Sequence, residues 1–124
     1  MPNSNMLILG VTGSIAAHRA VDLASLLTKA GAAVCVVMTA DAQRFVTPLP
    51  FKTLSRHPVV TDLYDDAEDW QPAHIRLADD ARLLLVAPAT ANFIAKMALG
   101  LANDALSCLA LALNPQARIL VAPA

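Results

Sequence analysis

The sequence has few aromatic and few charged residues, and it lacks an apolar run long enough to cross a membrane. Aromatic side chains make up 4% and charged side chains 15% of the 124 residues, whereas 56% are hydrophobic. In the most apolar stretch, residues 83–113, Pro88, Lys96 and Asp104 interrupt any span of about 20 apolar residues. No basic segment precedes the first apolar run, so a signal peptide is not indicated. The composition instead predicts one domain with a sheet buried on both faces, or a subunit that buries surface in an oligomer.

The sequence also has no excess of positive or negative charge, and it has only two cysteines. Nine basic and ten acidic residues give a net charge of −1, which offers no general attraction to nucleic acid. The acidic stretch at residues 62–70 has no ligand spacing and is predicted to be a solvated loop rather than a metal site. Cys35 and Cys108 lie in apolar segments without a CxxC spacing, which is typical of small core residues in a reducing compartment. We therefore expect no metal, no nucleic-acid partner and a cytoplasmic location.

Known nucleotide-binding and hydrolase motifs are missing as well. The stretch "GVTGSIAAH", residues 10–18, has Gly10 and Gly13 three apart and Ala16 where GxGxxG would require a third glycine. The chain has no Gly-Lys-Ser/Thr of a P-loop, no zinc spacing and no convincing Ser/His/Asp set. The two glycines and the hydroxyls of Thr12 and Ser14 still suit a strand-to-helix turn that binds a phosphate at the helix start. The alternative is an ordinary turn capped by Ser14.

Short apolar runs alternate with segments of helical period along the chain. "MLILGV", "AVCVVMT", "ARLLLVAP" and "RILVAP" are typical of buried strands, and helical patterns separate them. This alternation predicts an α/β domain with a parallel sheet and helices on both faces. Ligands of such folds bind beyond the carboxyl ends of the strands, which selects residues 10–14, 39–41 and 88–92.

The residues at these strand ends favour a mononucleotide over a dinucleotide. Thr39 comes first after the second strand, and a hydroxyl there donates to a phosphate, whereas a carboxylate would repel it. Asp41 follows two residues later and is expected to cap the next helix. Binding of an NAD ribose by Asp41 is the alternative. In "APATAN", Thr90 and Asn92 supply polar side chains ahead of a helix, or Thr90 only caps that helix and Asn92 is incidental.

His74, in "PAHIRLA", is the remaining candidate for chemistry. A lone histidine beside a proline-containing loop is either catalytic or a surface or capping residue, and the residues alone leave both open.

Several stretches together resemble one family. "GVTGSIAAHRA", "VVMTADAQRFVTPLPFKTLSRHPVVTDLYD", "HIRLA", "LLVAPATANFIAKMALGLANDAL" and "ILVAPA" resemble the homo-oligomeric flavin-containing cysteine decarboxylases, most closely the phosphopantothenoylcysteine decarboxylases of coenzyme A biosynthesis. The resemblance implies a Rossmann-like three-layer α/β/α subunit that binds FMN and forms trimers, which can assemble into dodecamers. It also implies a phosphopantothenate-cysteine ligase, fused or separate.

The resemblance further implies residue roles. The reaction would be FMN-dependent loss of the carboxylate from the C-terminal cysteine of 4'-phosphopantothenoylcysteine, giving 4'-phosphopantetheine. His74 would be catalytic, and Gly13, Ser14 and Thr39 would hold the FMN phosphate end. The other cofactor-binding residues would be Phe45, near the flavin, and Pro88, Ala89, Thr90 and Asn92, lining it.

The chain also departs from the family pattern. His18 and Arg19 replace a common Tyr-Lys pair, and the sequence stops two residues before the asparagine that the pattern "PAMN" would supply. We therefore expect a flavoprotein domain over residues 1–124 that is incomplete at its C-terminus and weak or inactive alone. The alternatives are a non-catalytic flavin-binding or regulatory subunit and, less favoured, an NAD-binding oxidoreductase domain.

Overall fold

The computed structural model describes residues 6–62 and 73–124, with side chains from residue 76 onward in the second range. Residues 63–70 of the predicted acidic loop, which spans residues 62–70, and the side chain of His74 lie outside this description. Four parallel strands form one sheet in the order β2-β1-β3-β4. Their bounds are β1 Met6–Val11, β2 Ala33–Met38, β3 Leu83–Ala89 and β4 Arg118–Pro123. The helices are α1 Ala17–Lys29, a 3₁₀ turn Ala42–Arg44, α2 Pro48–Ser55, α3 Ala73–Asp80, α4 Ala91–Leu99 and α5 Ala105–Ala112.

Alternate residues of the strands face two separate hydrophobic cores. Leu7, Leu9 and Val11 of β1 belong to the core that α1 and α2 cover. Ile8, between them, belongs with Leu84 and Val86 of β3 to the core that α3, α4 and α5 cover. Since successive side chains of a strand point to opposite faces, this division gives three layers. The predicted Rossmann-like α/β/α fold is confirmed.

Gly10 lets α5 approach the sheet closely. A Cβ atom at this position would lie 2.7 Å from Cδ1 of Leu106 and 3.1 Å from its Cδ2. The sequence predicted that Gly10 serves a tight turn, whereas the structure shows it within β1, where it makes room for a helix of the next layer.

The sheet grows in opposite directions from its two central strands, β1 and β3. The chain leaves β1 to form β2 on one side and later returns to form β3 on the other side. Such a switch point opens a crevice at the carboxyl ends of the two central strands, and ligands of doubly wound folds bind there.

The strand β4 differs from the buried strand that its apolar sequence predicts. All six of its residues are exposed, among them Ile119, Leu120 and Val121, whose exposed fractions are 41%, 55% and 43%. The strand pairs only with β3 within the described residues, so its outer edge and both apolar faces are open. In the two described ranges, no helix combines the length and apolarity that a bilayer crossing needs.

Candidate functional site

A cavity of about 240 Å³ lies at the carboxyl ends of β1, β2 and β3. Four of the predicted cofactor-binding residues line it, and these are Gly13, Thr39, Thr90 and Asn92. The sequence therefore located three separate loops that the fold brings together. A larger cavity of about 720 Å³ opens at the amino edge of the sheet, beside Met6 and Arg118. We place the site in the smaller cavity because parallel α/β folds bind ligands at the carboxyl edge.

Thr12 joins two of the loops that form the cavity. Its side chain is buried, and its Oγ1 donates to the carbonyl of Pro88 and accepts from the N–H of Thr90 at 2.9 Å. The N–H of Thr12 also donates to the carbonyl of Pro88, at 3.3 Å. One side chain thus fixes the loop after β1 against the loop after β3. The sequence predicted only that the hydroxyl of Thr12 lies near the start of a helix.

Two hydroxyls that line the cavity, and that of Ser14 next to the lining residue Gly13, accept hydrogen bonds from backbone amides. Oγ of Ser14 accepts from Ala16, at 3.2 Å, Oγ1 of Thr39 from Ala42, at 3.2 Å, and Oγ1 of Thr90 from Phe93, at 3.3 Å. Since a hydroxyl carries one donor besides its acceptor lone pairs, each keeps its O–H for another partner. Such a set of donors suits an anion.

The structure corrects the prediction that Asp41 caps the next helix. Asp41 occupies the N-cap position of the 3₁₀ turn, but its side chain makes no capping hydrogen bond, and Thr39 makes that bond instead. Thr90 does cap α4, as one of the two alternatives proposed. Ser14 lies before rather than within α1, which begins at Ala17.

Gly13 is required because the loop after β2 packs directly against it. A Cβ atom at Gly13 would overlap with Cβ of Asp41 and lie 3.0 Å from its carbonyl carbon. Contacts of this length force the backbone at residues 39–41 to move, since a carbonyl carbon cannot rotate away as a side chain can. Gly13 therefore sets the distance between two walls of the cavity.

We expect the free energy of unfolding of the Gly13→Ala variant to be lower than that of the parent by about 1–3 kcal/mol, the usual cost of overpacking. Urea denaturation followed by circular dichroism measures this loss. Combining Gly13→Ala with Asp41→Gly removes the shortest contact and is expected to recover part of the stability. A Gly13→Ala variant as stable as the parent would show that the two loops do not constrain each other.

Lys96 and Asp104 form an ion pair at the rim of the cavity. Nζ of Lys96 lies 3.0 Å from Oδ2 of Asp104, and the side chains are 17% and 30% exposed. Asp104 also begins α5, because its Oδ1 accepts from the N–H and the Oγ of Ser107, both at 2.7 Å. Oγ of Ser107 accepts in return from the N–H of Asp104, at 3.1 Å, which completes a capping box.

Several groups act on the pKa of Asp104. Partial burial alone would raise this pKa, but the hydrogen bonds from Ser107 and the ammonium of Lys96 outweigh burial and hold the pKa below its ordinary value of 3.8. A carboxylate with a lowered pKa in the folded state stabilises the fold above its unfolded pKa, and this contribution is lost as the pH falls.

We therefore expect Asp104→Asn to lower the free energy of unfolding by about 1 kcal/mol near pH 7, since asparagine keeps the cap but not the charge. The difference from the parent should persist down to about pH 5 and shrink below about pH 4. Denaturation series at several pH values measure it. Ser107→Ala keeps the charge but removes one of the hydrogen bonds that lower this pKa, so its loss of stability should also shrink at low pH. A constant Asp104→Asn difference down to pH 2.5 would contradict the assigned pKa direction.

The remaining predicted cofactor residues lie outside the cavity lining. Ala89 is fully buried in the core with Val86 and Phe93. Pro88 faces a separate cavity of about 220 Å³ that Arg19 also lines, and the side chain of Phe45 is half exposed. Ser14 lies next to Gly13 at the rim. Their roles towards a cofactor stay predictions.

His74 lies in the first turn of α3. The helix ends near the amino edge of the sheet, where the N–H of Arg82 donates to the carbonyl of Met6, at 2.9 Å. With a rise of 1.5 Å per residue, residue 74 lies about 9 Å from Asp80 along the helix axis, on its carboxyl-edge side. The side-chain amide of Asn114 holds the end of α3 by donating to the carbonyls of Ala78, Asp79 and Ala81, at 2.9, 3.2 and 2.8 Å. The catalytic role of His74 stays a prediction.

Neither cysteine belongs to the cavity. Burial raises the pKa of the Cys35 thiol to about 11. Partial burial and then the nearby carboxylate of Asp104 raise the pKa of Cys108. Since the thiolate is the reactive form, a raised pKa disfavours reaction of either thiol near neutral pH. Cys35 is a buried core residue as predicted, whereas Cys108 is only partly buried.

Comparison with known proteins decides the family. The model of the flavoprotein family matches residues 1–124. The chain belongs to the flavoprotein family. The family resemblance deduced from the sequence motifs is thereby confirmed.

Curated relatives of this flavoprotein are longer. The coenzyme A biosynthesis bifunctional protein CoaBC of Bacillus subtilis is 47% identical over 124 residues, which are 100% of this chain and 30% of the relative. The protein of the same name from Haemophilus influenzae is 43% identical over 122 residues, 98% of this chain and 30% of the relative. The chain thus spans about 30% of the length of these relatives.

Solved structures with this fold include cysteine decarboxylases. The FMN-dependent cysteine decarboxylase SpaF superposes with a TM-score of 0.88 at 34% identity, covering 97% of this chain and 68% of SpaF. A PPC decarboxylase mutant complexed with pantothenoylaminoethenethiol superposes with a TM-score of 0.82 at 28% identity, covering 100% of this chain and 68% of the mutant.

Proposed function

We propose that this chain binds FMN in the 240 Å³ cavity and decarboxylates the C-terminal cysteine of 4'-phosphopantothenoylcysteine to 4'-phosphopantetheine, in coenzyme A biosynthesis. The observation that carries the proposal is the convergence of Gly13, Thr39 and Thr90 on one cavity at the switch point of a flavoprotein-family fold. The names of the relatives, CoaBC and FMN-dependent cysteine decarboxylase, support the same assignment.

The residues of the cavity fit the phosphate end of FMN. The hydroxyls of Ser14, Thr39 and Thr90 keep their O–H donors, as described above. Among the described residues, the N–H groups of Ala40 and Asn92 have no acceptor within the protein. Donors at helix starts favour a phosphate, and the carboxylate of Asp41 at the same wall suits the sugar-alcohol hydroxyls of the ribityl chain.

In the proposed mechanism the protein positions the reacting groups. The bound flavin supplies the two-electron chemistry that makes the carboxylate beside the substrate's thiol-bearing carbon a leaving group. The loop of residues 88–92, fixed by Thr12, holds one wall of the site in place during turnover. His74 is proposed to hold a proton on its imidazole for transfer at the substrate, because histidine titrates near neutral pH.

We also propose that the chain works as a homo-oligomer, a trimer that can form dodecamers. A cavity of about 240 Å³ is smaller than the roughly 300–1,000 Å³ of complete small-molecule sites, so a second surface would have to complete it. The exposed apolar residues Leu111, Ile119 and Leu120 are candidates for surface that a second copy covers.

Other partners and the location are proposed from the same assignment. A phosphopantothenate-cysteine ligase, fused or separate, would supply the substrate. The two unpaired cysteines agree with a cytoplasmic, reducing location.

One set of measurements tests these proposals on the native gene product. It consists of the visible absorption spectrum with identification of the bound flavin, the mass in solution, and mass-spectrometric detection of product from 4'-phosphopantothenoylcysteine. We expect a yellow, FMN-containing oligomer that forms 4'-phosphopantetheine. A colourless protein that FMN cannot reconstitute would overturn the flavin assignment. A yellow protein without turnover would favour the non-catalytic flavin-binding subunit instead.

A further inference from the structure

The cavity contains a lysine to which the sequence assigned no role. Among the described residues that line the cavity, Lys96 is the cation, and Asp41 and Asp104 are the anions. Lys96 is held in place, because its side chain is only 17% exposed and its Nζ lies 3.0 Å from Asp104. A positive charge on a mostly buried side chain, paired with one carboxylate in a cavity that a second carboxylate also lines, affects which ligand charge the cavity accepts.

The position of Lys96 on α4 directs it towards the helix start. Lys96 follows Asn92 by four residues, so both lie on the same face of the helix. Long helical side chains lean towards the N-terminus of their helix, and here that end of α4 forms the cavity wall. An ammonium has three donors, and Asp104 accepts from one of them.

Asp104 cannot serve a ligand in the same way. Its Oδ1 accepts from Ser107 and its Oδ2 accepts from Lys96. Without Lys96, the carboxylates of Asp41 and Asp104 would face the cavity together and repel a phosphate dianion.

We propose that Lys96 is a specificity-determining residue that makes the cavity prefer a phosphorylated flavin over the same flavin without phosphate. The proposal rests on the flavin assignment made above and adds the residue that recognises the negative charge of the phosphate. The hydroxyls and amides supply hydrogen bonds that either a phosphate or a neutral polar group could accept, whereas Lys96 supplies the positive charge.

The test compares the dissociation constants of FMN and riboflavin, measured by quenching of flavin fluorescence on the apoprotein. We expect Lys96→Met to weaken FMN binding by about 10- to 100-fold, as for the loss of a charged hydrogen-bond partner, and riboflavin binding far less. Lys96→Arg keeps the charge and should keep the preference for FMN. Lys52→Met, which removes an exposed cation from α2, is the matched control and should leave both constants unchanged.

The variant Asp104→Asn separates charge selection from a purely structural ion pair. It breaks the same pair but removes an anion, so we expect the preference for FMN to stay or increase. If the pair only holds α4 against α5, Lys96→Met and Asp104→Asn should both weaken FMN and riboflavin to the same extent, and that result would overturn the proposal. An unchanged FMN preference in Lys96→Met would overturn it as well.

The two proposals fail in different ways. A parent protein that binds neither flavin would reject the flavin assignment itself. A parent protein that binds FMN, with a Lys96→Met variant of unaltered selectivity, would reject only the role of Lys96. Thermal melts of each variant distinguish a loss of selectivity from a loss of folding, and Lys96→Gln is the second variant if Lys96→Met does not fold.

Discussion

The His74→Asn variant is expected to bind FMN with the affinity of the parent and to decarboxylate the cysteine substrate at least about 100-fold more slowly. General acid–base catalysis by a positioned side chain contributes about 10²- to 10⁴-fold, and histidine is the residue most often used. Asparagine approximates the size of the imidazole and keeps hydrogen-bonding groups, but it does not titrate between pH 5 and 8. Product formation by mass spectrometry and FMN affinity by fluorescence are the two measurements.

The position of α3 supports this expectation. The amide of Asn114 anchors the end of the helix at Ala81, and His74 lies at the opposite end, on the carboxyl-edge side. His57 provides the matched control, because it follows α2 and its Nδ1 lies 2.8 Å from the carbonyl of Ser55, with no part in the cavity. His57→Asn should retain full turnover. Equal turnover by the His74→Asn variant and the parent would remove His74 from the mechanism.

Much of the site could be predicted from the sequence because parallel strands deliver their following loops to the same edge of a sheet. The apolar runs identified β1, β2 and β3, and the residues after them, Gly13, Thr39 and Thr90, meet at one cavity. Local chemistry also gave the cap at Thr90 as one alternative, since a cap lies within three residues of the amide that it accepts from.

Other features depend on contacts that local patterns do not contain. The side chain of Thr12 bonds to groups 76 and 78 residues away, and that of Asn114 to carbonyls 33 to 36 residues away. Asp41 was wrongly predicted as a cap because Thr39, two residues earlier, reaches the same turn. The exposure of β4 was also missed, because an apolar strand has the same sequence whether a neighbour covers it or not.

The Thr12→Val variant is expected to lower the free energy of unfolding by about 2–4 kcal/mol. Valine has the shape of threonine without the hydroxyl, so the change removes two hydrogen bonds and leaves the core packing nearly intact. The N–H of Thr90 loses its acceptor, and the carbonyl of Pro88 keeps only the 3.3 Å bond from the backbone N–H of residue 12. Groups left unpaired in a buried place cost about 1–3 kcal/mol each.

The same substitution should weaken flavin binding, because the loop of residues 88–92 then loses its attachment to β1. Thr12→Ser is the matched control, since it keeps the hydroxyl and removes a buried methyl group, for a loss of about 1 kcal/mol. Urea denaturation and FMN titration of both variants measure the two effects. If Thr12→Val is as stable as Thr12→Ser and binds FMN equally well, the hydroxyl does not hold the two loops together. If valine alone loses both stability and flavin, a single buried hydroxyl joins two walls of the proposed cofactor cavity.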